Sequence, residues 1–188
     1  MKSGFDGIFI AISNPVDIIA HYIYKLSGLP KNQVIGTGTA IDSARLQNMI
    51  AQTVNVDPRS VHAYSMGEHG DSQMVPWSTV TIAGKPFYDV IADNKELVGD
   101  VDLDELVYRT TQEGWEIFNR KGTTYYGIAT ACVGVIKAIL NDENRIIPVS
   151  TLLEGEYGER DVYAGVPTVL NRSGAYDVLE IHMTPGEL

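Results

Sequence analysis

The chain has 188 residues, of which 24 are acidic and 14 are basic, and its formal net charge is -10 at pH 7. This length is enough for one domain with a sizeable core. An acidic chain repels nucleic-acid phosphates, and no basic patch with interleaved aromatic residues occurs, so we expect no binding to nucleic acid.

We expect no signal peptide at residues 1–7, because the apolar run that follows them is short and is interrupted by Ser13-Asn14-Pro15. No apolar run reaches the roughly 18–20 residues needed to span a membrane. The single cysteine, Cys132, excludes an internal disulfide, and its apolar helical surroundings predict an inert core thiol. These features predict a cytoplasmic protein without a membrane partner.

The first predicted unit is a strand, a tight turn and a helix. The continuous apolar run over residues 8–12 indicates a strand buried on both faces of a parallel sheet. Asn14 can cap the following helix, and Pro15 fits the first helical position. Asn14 also follows the carboxyl end of the strand, where open α/β sheets bind ligands, so both roles stay open.

A second strand and helix follow. Residues 34–35 predict a short strand, and Gly36-Thr37-Gly38 allows a tight turn without matching the three-glycine dinucleotide fingerprint. A helix is predicted from about residue 41 to residue 54, and Asp42 and Arg45 share one face near its start. Arginine offers a rigid fork that fits a carboxylate, whereas an exposed pair at this spacing is worth only about 0.2–0.5 kcal/mol.

The segment Gly67-Glu68-His69-Gly70-Asp71 has the composition of a proton-transfer site. Histidine titrates near neutral pH, glycine lets the backbone approach a ligand, and the acids can orient the ring. A solvated turn is the alternative. A metal site with His62 is a third reading, which we disfavour because the helical His-x-x-x-His spacing is absent.

The rest of the chain predicts an α+β domain. Residues 77–83 alternate like a strand, and the acidic residues 93–104 predict a solvated loop in which Asp102 and Glu105 have capping-box spacing. Two helical patterns follow, ending near residue 141. Between them lies Thr124, which either faces a cleft or bonds its own backbone.

The final segments predict a small antiparallel sheet, with strands in the ranges 146–153, 161–164, 167–170 and 178–181. At the end, Thr184-Pro185-Gly186-Glu187 has the pattern of a capping box that starts a helix. At the beginning, one strand–helix unit cannot bury a two-sided strand, and no other segment is predicted to supply a parallel partner. We therefore expect the chain to be part of a larger protein.

With these residues assembled, the chain resembles the L-lactate and L-2-hydroxyacid dehydrogenase family over nearly all of its length. The matching motifs, in the family's order, are Ser13-Asn14-Pro15-Val16-Asp17, Gly36-Thr37-Gly38-Thr39, Asp42-Ser43-Ala44-Arg45, Gly67-Glu68-His69-Gly70-Asp71 and Gly122-Thr123-Thr124-Tyr125-Tyr126-Gly127. The stretches over residues 12–17 and 72–78 also resemble the hydroxyisocaproate-type enzymes.

The resemblance implies an α/β fold in two parts. Residues 1–20 would be the end of a doubly wound parallel sheet, a remnant of a dinucleotide-binding domain. Residues 21–188 would form an α+β substrate domain that lacks its last helix. The resemblance also implies NAD as cofactor, a small 2-hydroxy or 2-keto acid as substrate, a role in carboxylic acid metabolism such as glycolysis, and a homo-oligomer (dimer or tetramer).

The resemblance also implies a role for each site residue. His69 would exchange the proton at the substrate C2 oxygen, while Asp42 holds and stabilises its imidazolium. Arg45 would bind the substrate carboxylate. The remaining residues would bind substrate (Asn14, Thr124) or line the nicotinamide part of the cofactor (Ile12, Ser13, Asn14, Thr37).

The sequence departs from the family pattern in three main respects and in one smaller one. The glycine-rich nucleotide-binding half, the mobile specificity loop and the closing C-terminal helix are not found in the 188 residues, so we expect this chain alone to be inactive. The alternative function is that of a non-catalytic fragment in assembly or partner binding. Gln47 stands where the family's activated members carry an arginine near His62, so we expect no activation by fructose 1,6-bisphosphate.

Overall fold

The structure is a computed structural model that describes residues 4–187. Met1, Lys2 and Ser3, which belong to the segment considered as a signal peptide, lie outside the described residues. The helices are α1 (Val16–Ser27), α2 (Ala40–Val54), α3 (Phe87–Asp93), α4 (Lys95–Val98), α5 (Leu103–Lys121) and α6 (Tyr126–Leu140). The strands are β1 (Phe9–Ala11), β2 (Val34–Gly36), β3 (Val61–His62), β4 (Thr81–Ile82), β5 (Lys85–Pro86), β6 (Arg145–Glu154), β7 (Arg160–Asn171) and β8 (Gly174–Val178).

The main sheet has five strands in the order β1-β2-β6-β7-β8. Strands β1 and β2 are parallel, and each later neighbour is antiparallel. The expectation that no segment supplies a parallel partner for the first strand is therefore wrong, because β2 pairs with it after the crossover through α1. The division into residues 1–20 and 21–188 stays a prediction.

Helices cover both faces of the main sheet. Val34 and Ile35 are fully buried neighbours in β2 whose side chains point to opposite faces. Val34 packs in the cluster formed with α1, and Ile35 packs in the cluster formed with α6. Burial on both faces explains why Val34 and Ile35 of β2 are both apolar. It also holds α1 against the sheet, next to the carboxyl end of β1 from which the helix follows.

A second, three-stranded antiparallel sheet consists of β3, β4 and β5. Its core joins α2 and α5, with Leu46, Ile50, Val80 and Phe87 almost completely buried. Cys132 lies on α6 and is only partly buried, rather than in the core as predicted. Burial still raises the pKa of its thiol, which disfavours the reactive thiolate.

Two local predictions are corrected at helix α1 and strand β4. Pro15 occupies the N-cap position of α1 with an extended backbone and no side-chain cap, so Asn14 lies one position too early to cap it. The alternating run over residues 77–83 forms a 3-10 turn over Trp77–Thr79 before the two-residue strand β4.

The Asp102 cap is confirmed, because its Oδ1 accepts a 3.0 Å hydrogen bond from the Glu105 amide.

Strand β7 is one twelve-residue strand, not the two short strands predicted over residues 161–164 and 167–170. The register places Pro167 opposite Pro148 in β6. Since proline lacks an amide hydrogen, this pairing confines both missing donors to a single position of the ladder. The last strand, β8, ends at Val178, where the sequence pattern predicted that it would begin.

The C-terminal capping-box pattern forms one of its two bonds, and residues 185–187 form a turn instead of the predicted helix start. The Glu187 carboxylate accepts hydrogen bonds from the amide and the hydroxyl of Thr184, both at 2.8 Å. It also accepts from the amide and the hydroxyl of Ser78, at 2.9 and 2.7 Å. This carboxylate therefore links residues 184–187 to the 3-10 turn that precedes β4. Within residues 4–187, no helix combines the length and apolar character that crossing a membrane requires.

Candidate active site

The loop that carries His69 is held at its base by strand pairing. Met66 and Met74 exchange backbone hydrogen bonds of 2.8 and 2.9 Å, which close the loop. Gly67 and Gly165 of β7 exchange a second pair, of 2.9 and 2.7 Å. A positive φ of 88° at Gly67 permits this turn, because residues with a side chain rarely adopt it. The loop is thus anchored to the main sheet.

Helix α2 anchors the segment that leads into this loop. The Ser43 hydroxyl accepts a 2.8 Å hydrogen bond from the Ser65 amide and donates to the Ser65 carbonyl at 3.3 Å. The Ser65 hydroxyl donates in turn to the side-chain oxygen of Gln73, on the other arm of the loop. All three side chains are buried, so the network fixes the loop against the helix that carries Asp42 and Arg45.

The Asp42 carboxylate bridges His69 and Arg45. Its Oδ2 lies 2.5 Å from Nδ1 of His69, and its Oδ1 lies 3.3 Å from Nη1 of Arg45. The Asp42 side chain is only 2% exposed, while those of Arg45 and His69 are 13% and 19% exposed. Because Nδ1 donates to Asp42, Nε2 is the ring nitrogen that can exchange a proton with a ligand.

The surroundings of His69 favour its protonated form. The hydrogen bond to Asp42 is the main cause that raises the pKa of His69 above 6.5, and the charges of Asp42 and Asp17 add to it. Burial and the positive charge of Arg45 act in the opposite direction. The neighbouring acids predicted to orient the ring do not supply this contact, since Glu68 accepts instead from Ser72 at 2.5 Å.

A cavity of about 720 Å³ lies between α2, β6 and the α5–α6 junction, and of the three residues Asp42, His69 and Arg45 only Arg45 lines it. Arg45 and Thr124 both line it, so the structure brings together two residues that lie far apart in the sequence. Thr124 is partly buried in the link that precedes α6. It lines the cavity, which agrees with the predicted alternative that Thr124 faces a cleft. The remaining lining combines apolar side chains such as Ile41 and Ile128 with charged ones, namely Glu113, Lys121 and Arg145.

The four residues assigned to the cofactor lie at the carboxyl ends of the parallel strands β1 and β2. Ile12, Ser13 and Asn14 are exposed, and the Ile12 side chain is 54% exposed. Thr37 follows β2 and is only 2% exposed, and its amide donates to the Ala11 carbonyl at 2.9 Å. The first three residues therefore form an accessible ledge with one apolar and two polar side chains, and Thr37 lies beneath it.

Asp17 is the residue of this cluster that the sequence did not indicate. It lies in the first turn of α1, and its Oδ2 accepts a 3.0 Å hydrogen bond from the His69 amide. An acid in a first helical turn is common, because it complements the helix dipole. Nothing in the local pattern therefore pointed to a contact with a residue 52 positions later.

The metal-site alternative finds no support in the part of the chain that the structure describes. Within residues 4–187, no group of three or more histidine, cysteine or acidic side chains is placed to hold a metal ion. His62 is exposed in β3, and the nearby Gln47 donates to the Ala63 carbonyl at 3.0 Å. The expectation that fructose 1,6-bisphosphate does not activate the protein stays a prediction.

Known proteins match this chain over its full length. Residues 39–188 match the family model of the lactate/malate dehydrogenase alpha/beta C-terminal domain. L-lactate dehydrogenase 3 of Bacillus thuringiensis subsp. konkukian is 54% identical over 187 residues, and L-lactate dehydrogenase 1 of Bifidobacterium longum subsp. longum is 50% identical over the same length. Both alignments cover 100% of this chain and 59% of the relative.

Solved structures show the same fold. The ligand-bound minor L-lactate dehydrogenase of Enterococcus mundtii is 44% identical with a TM-score of 0.94, and the alignment covers 100% of this chain and 59% of that one. A lactate dehydrogenase from a deep-sea metagenome library of the Medee basin is also 44% identical, with a TM-score of 0.95 and 60% of its chain covered. The mixed α/β fold is therefore that of the lactate dehydrogenase C-terminal domain, and the chain belongs to the lactate/malate dehydrogenase family.

Proposed function

We infer that this chain supplies the substrate-binding and proton-transfer part of an NAD-dependent L-2-hydroxyacid dehydrogenase that acts on lactate-like acids. The observation that carries this inference is the Asp42 carboxylate, which contacts His69 through one oxygen and Arg45 through the other. One buried group thus fixes a proton donor and a carboxylate-binding fork next to a cavity. The names of the related proteins support the same reaction class.

The proton step follows from the geometry at His69. In the direction of reduction, protonated His69 donates from Nε2 to the C2 oxygen of a 2-keto acid, and neutral His69 accepts that proton in the reverse direction. The Asp42 carboxylate holds the ring by Nδ1 and stabilises the imidazolium. The hydrogen bond to Asp42 raises the pKa of His69 and so favours the protonated form that donates in the reduction direction.

Substrate binding is assigned to the residues around the cavity. The Arg45 guanidinium would bind the substrate carboxylate with two parallel hydrogen bonds, since it lines the cavity and is held by Asp42. Thr124, which also lines the cavity, would contact the substrate, and Asn14 would bond the C2 oxygen or the neighbouring cofactor. With His69 as the proton donor, these assignments would put the substrate carboxylate at Arg45 and the C2 oxygen at His69.

The ledge at the ends of β1 and β2 fits one half of the cofactor. An exposed Ile12 beside polar Ser13 and Asn14 provides an apolar face and hydrogen-bonding groups, as a nicotinamide ring with its amide requires. NAD, when bound there, supplies or accepts the hydride. Thr37 would support this ledge from below. The described residues contain no three-glycine dinucleotide fingerprint that would bind the cofactor phosphates. We therefore propose that this chain alone does not turn over substrate.

The test is turnover of pyruvate and of 2-ketoisocaproate with NADH by the active enzyme that contains these residues. His69→Gln should abolish turnover while His182→Gln, at an exposed histidine, leaves it unchanged. Equal activity of the two variants would refute the assignment of His69. The assay with two substrates also decides between a lactate-type and a branched-chain preference.

A second candidate is a non-catalytic role of this chain in assembly or partner binding. It is motivated by the coverage, since the chain spans 59% of the length of the curated relatives it matches. Titration of the purified 188-residue chain with NADH, followed by its fluorescence, separates the two. Stoichiometric binding would count against the second candidate, and no binding would leave the residues above as half of a site.

A homo-oligomer and a cytoplasmic location stay proposals. Helix α1 presents Ile18, Tyr22 and Leu26 at successive i, i+4 positions, each about two-thirds or more exposed (67%, 67% and 71%). A continuous apolar stripe of this kind is typical of a surface that packs against another protein. Sedimentation equilibrium of the protein measures the association directly, and a monomer at micromolar concentration would contradict this proposal.

A further inference from the structure

Asp17 occupies an unusual position for a surface-helix acid. Its Oδ2 accepts a 3.0 Å hydrogen bond from the His69 amide, while its Oδ1 is buried and has no hydrogen-bond partner among residues 4–187. Burying a carboxylate oxygen without a hydrogen-bond partner costs free energy. We therefore look for a function of Asp17 that explains why this cost is tolerated. Stability of helix α1 does not require it, because an exposed acid in the first turn would complement the helix dipole equally well.

We propose that Asp17 is a positioning residue for His69: it fixes the backbone of the proton-transfer residue to helix α1 and places a second negative charge beside the imidazole. This proposal rests on the proposed function only for its catalytic consequence. Its two structural parts, the hydrogen bond and the charge, concern His69 itself. Each part is measurable in the chain without any turnover.

Among the described residues, three charged groups act on the charge of His69, and they come from two elements. Asp42 and Arg45 project from α2, and Asp17 projects from α1. The two carboxylates favour the imidazolium and the guanidinium disfavours it, which agrees with the contributions of all three to the raised pKa of His69. Asp17 therefore offsets the positive charge that a carboxylate-binding arginine brings close to the proton donor.

The location of Asp17 also connects the two halves of the candidate site. It lies three residues after Asn14, on the helix that begins directly behind the ledge of Ile12, Ser13 and Asn14. Through its hydrogen bond, the His69 loop is tied to this same helix as well as to α2 and β7. The Asp17 side chain thereby adds a direct link between the helix behind the ledge and the proton donor.

The experiment is a proton NMR titration of the histidine C2–H resonances in the 188-residue chain. Asp17→Asn keeps an oxygen that can accept from the His69 amide and removes the charge, whereas Asp17→Ala removes both. We expect Asp17→Asn to lower the pKa of His69, by less than Asp42→Asn lowers it. His62 and His182, both exposed, serve as internal references that should not move.

Amide exchange tests the second part of the proposal. Loss of a hydrogen bond to a charged acceptor should raise the exchange rate of the His69 amide in Asp17→Ala by about tenfold or more. Asp17→Asn should restore most of the protection. If Asp17→Ala does not fold, as circular dichroism would show, the pKa of His69 in Asp17→Asn alone decides the matter.

An unchanged His69 pKa in Asp17→Asn would overturn the proposal and leave Asp17 as a structural anchor. This outcome is distinct from failure of the proposed function. Should the enzyme reduce no 2-keto acid while Asp17→Asn still shifts the His69 titration, the positioning of His69 by Asp17 stands and the dehydrogenase assignment falls. In the active enzyme, the same variant should shift the pH profile of kcat/KM in the direction of the NMR titration.

Discussion

Asp42 and His69 are 27 positions apart in the sequence, and the Oδ2 atom of Asp42 lies 2.5 Å from Nδ1 of His69. The contact depends on two separate anchors, helix α2 for the aspartate and the loop paired with β7 for the histidine. Because the aspartate is almost fully buried and the histidine is partly exposed, the pair combines a fixed charge with an accessible proton. The predictions below follow from this relationship and from the packing around it.

The first prediction concerns the charge on Asp42. Asp42→Asn removes the group that stabilises the imidazolium, so the pKa of His69 should fall and kcat/KM for a 2-keto acid should decrease by about 10²-fold or more. Steady-state kinetics of the active enzyme measure this change. Asp89→Asn, at an exposed position on α3, is the matched control and should behave as the wild type. Comparable rates for the two variants would argue against a role for Asp42.

The second prediction concerns stability as a function of pH. The folded chain binds the His69 proton more tightly than the unfolded chain, since the hydrogen bond to Asp42 raises the pKa above 6.5. The resulting stabilisation is fully present below the unfolded pKa and is lost as the pH rises through the folded pKa. Urea unfolding should therefore show the wild type losing its advantage over His69→Gln as the pH increases from 6 to 9. A difference that does not depend on pH would contradict this prediction.

The third prediction concerns Arg45. Arg45→Lys keeps the positive charge but loses the planar fork, so binding of a substrate carboxylate should weaken and kcat/KM should fall by about 10- to 100-fold. Arg45→Gln should lower it further, because the charge is lost as well. Arg59→Lys, at an exposed arginine paired with Asp57, provides the control and should leave the kinetics unchanged. If Arg45→Lys bound substrate as the wild type does, the carboxylate would have another partner.

The fourth prediction concerns the close approach of the backbone at Gly38. This residue has a φ of 51°, and a Cβ added to it would lie 2.4 Å from the Ser150 amide nitrogen in β6. Gly38→Ala should therefore lower the free energy of unfolding by about 2 kcal/mol or more, through strain and overpacking. Gly134→Ala, on α6 with open space around the added carbon, should instead raise it by about 0.5–1 kcal/mol. Thermal or urea unfolding of both variants tests the contrast, which a similar loss in each would disprove.

The sequence predicts local features of the site well. Asp42 and Arg45 share a helix face because their separation of three matches the helical period, and the structure confirms their contact at 3.3 Å. The helices α2, α5 and α6 follow from the spacing of their apolar residues, and the cap at Asp102 follows from its position. Each of these features is determined within about one or two helical turns.

The sequence predicts long-range relationships poorly. The contact of Asp17 with His69 and the parallel pairing of β1 with β2 both depend on how distant segments fold together. The sequence pattern also predicts two short strands where β7 is unbroken, and Pro167 in its interior normally argues against a continuous strand. Pro148, which lies opposite Pro167, belongs to the preceding strand β6. Only the register of the folded sheet shows that the two prolines face each other.

The exposed ends of β1 and β2 illustrate an intermediate case. The pattern of an apolar strand followed by polar residues predicts a ligand at this edge, and the structure places Ile12, Ser13 and Asn14 at the surface there. Which of them contacts a ligand is not determined by the period of a strand. Burial of Thr37, in contrast, becomes visible only once the sheet is formed.

The most direct test of the central claim, that His69 exchanges the substrate proton, is the pH dependence of kcat/KM measured in both directions of the reaction. Reduction of a 2-keto acid requires protonated His69, and oxidation of a 2-hydroxy acid requires the neutral form. The account predicts two profiles of opposite slope that share one inflection, which Asp42→Asn moves to lower pH in both. Profiles of the same slope in the two directions, or an inflection that Asp42→Asn leaves in place, would contradict it.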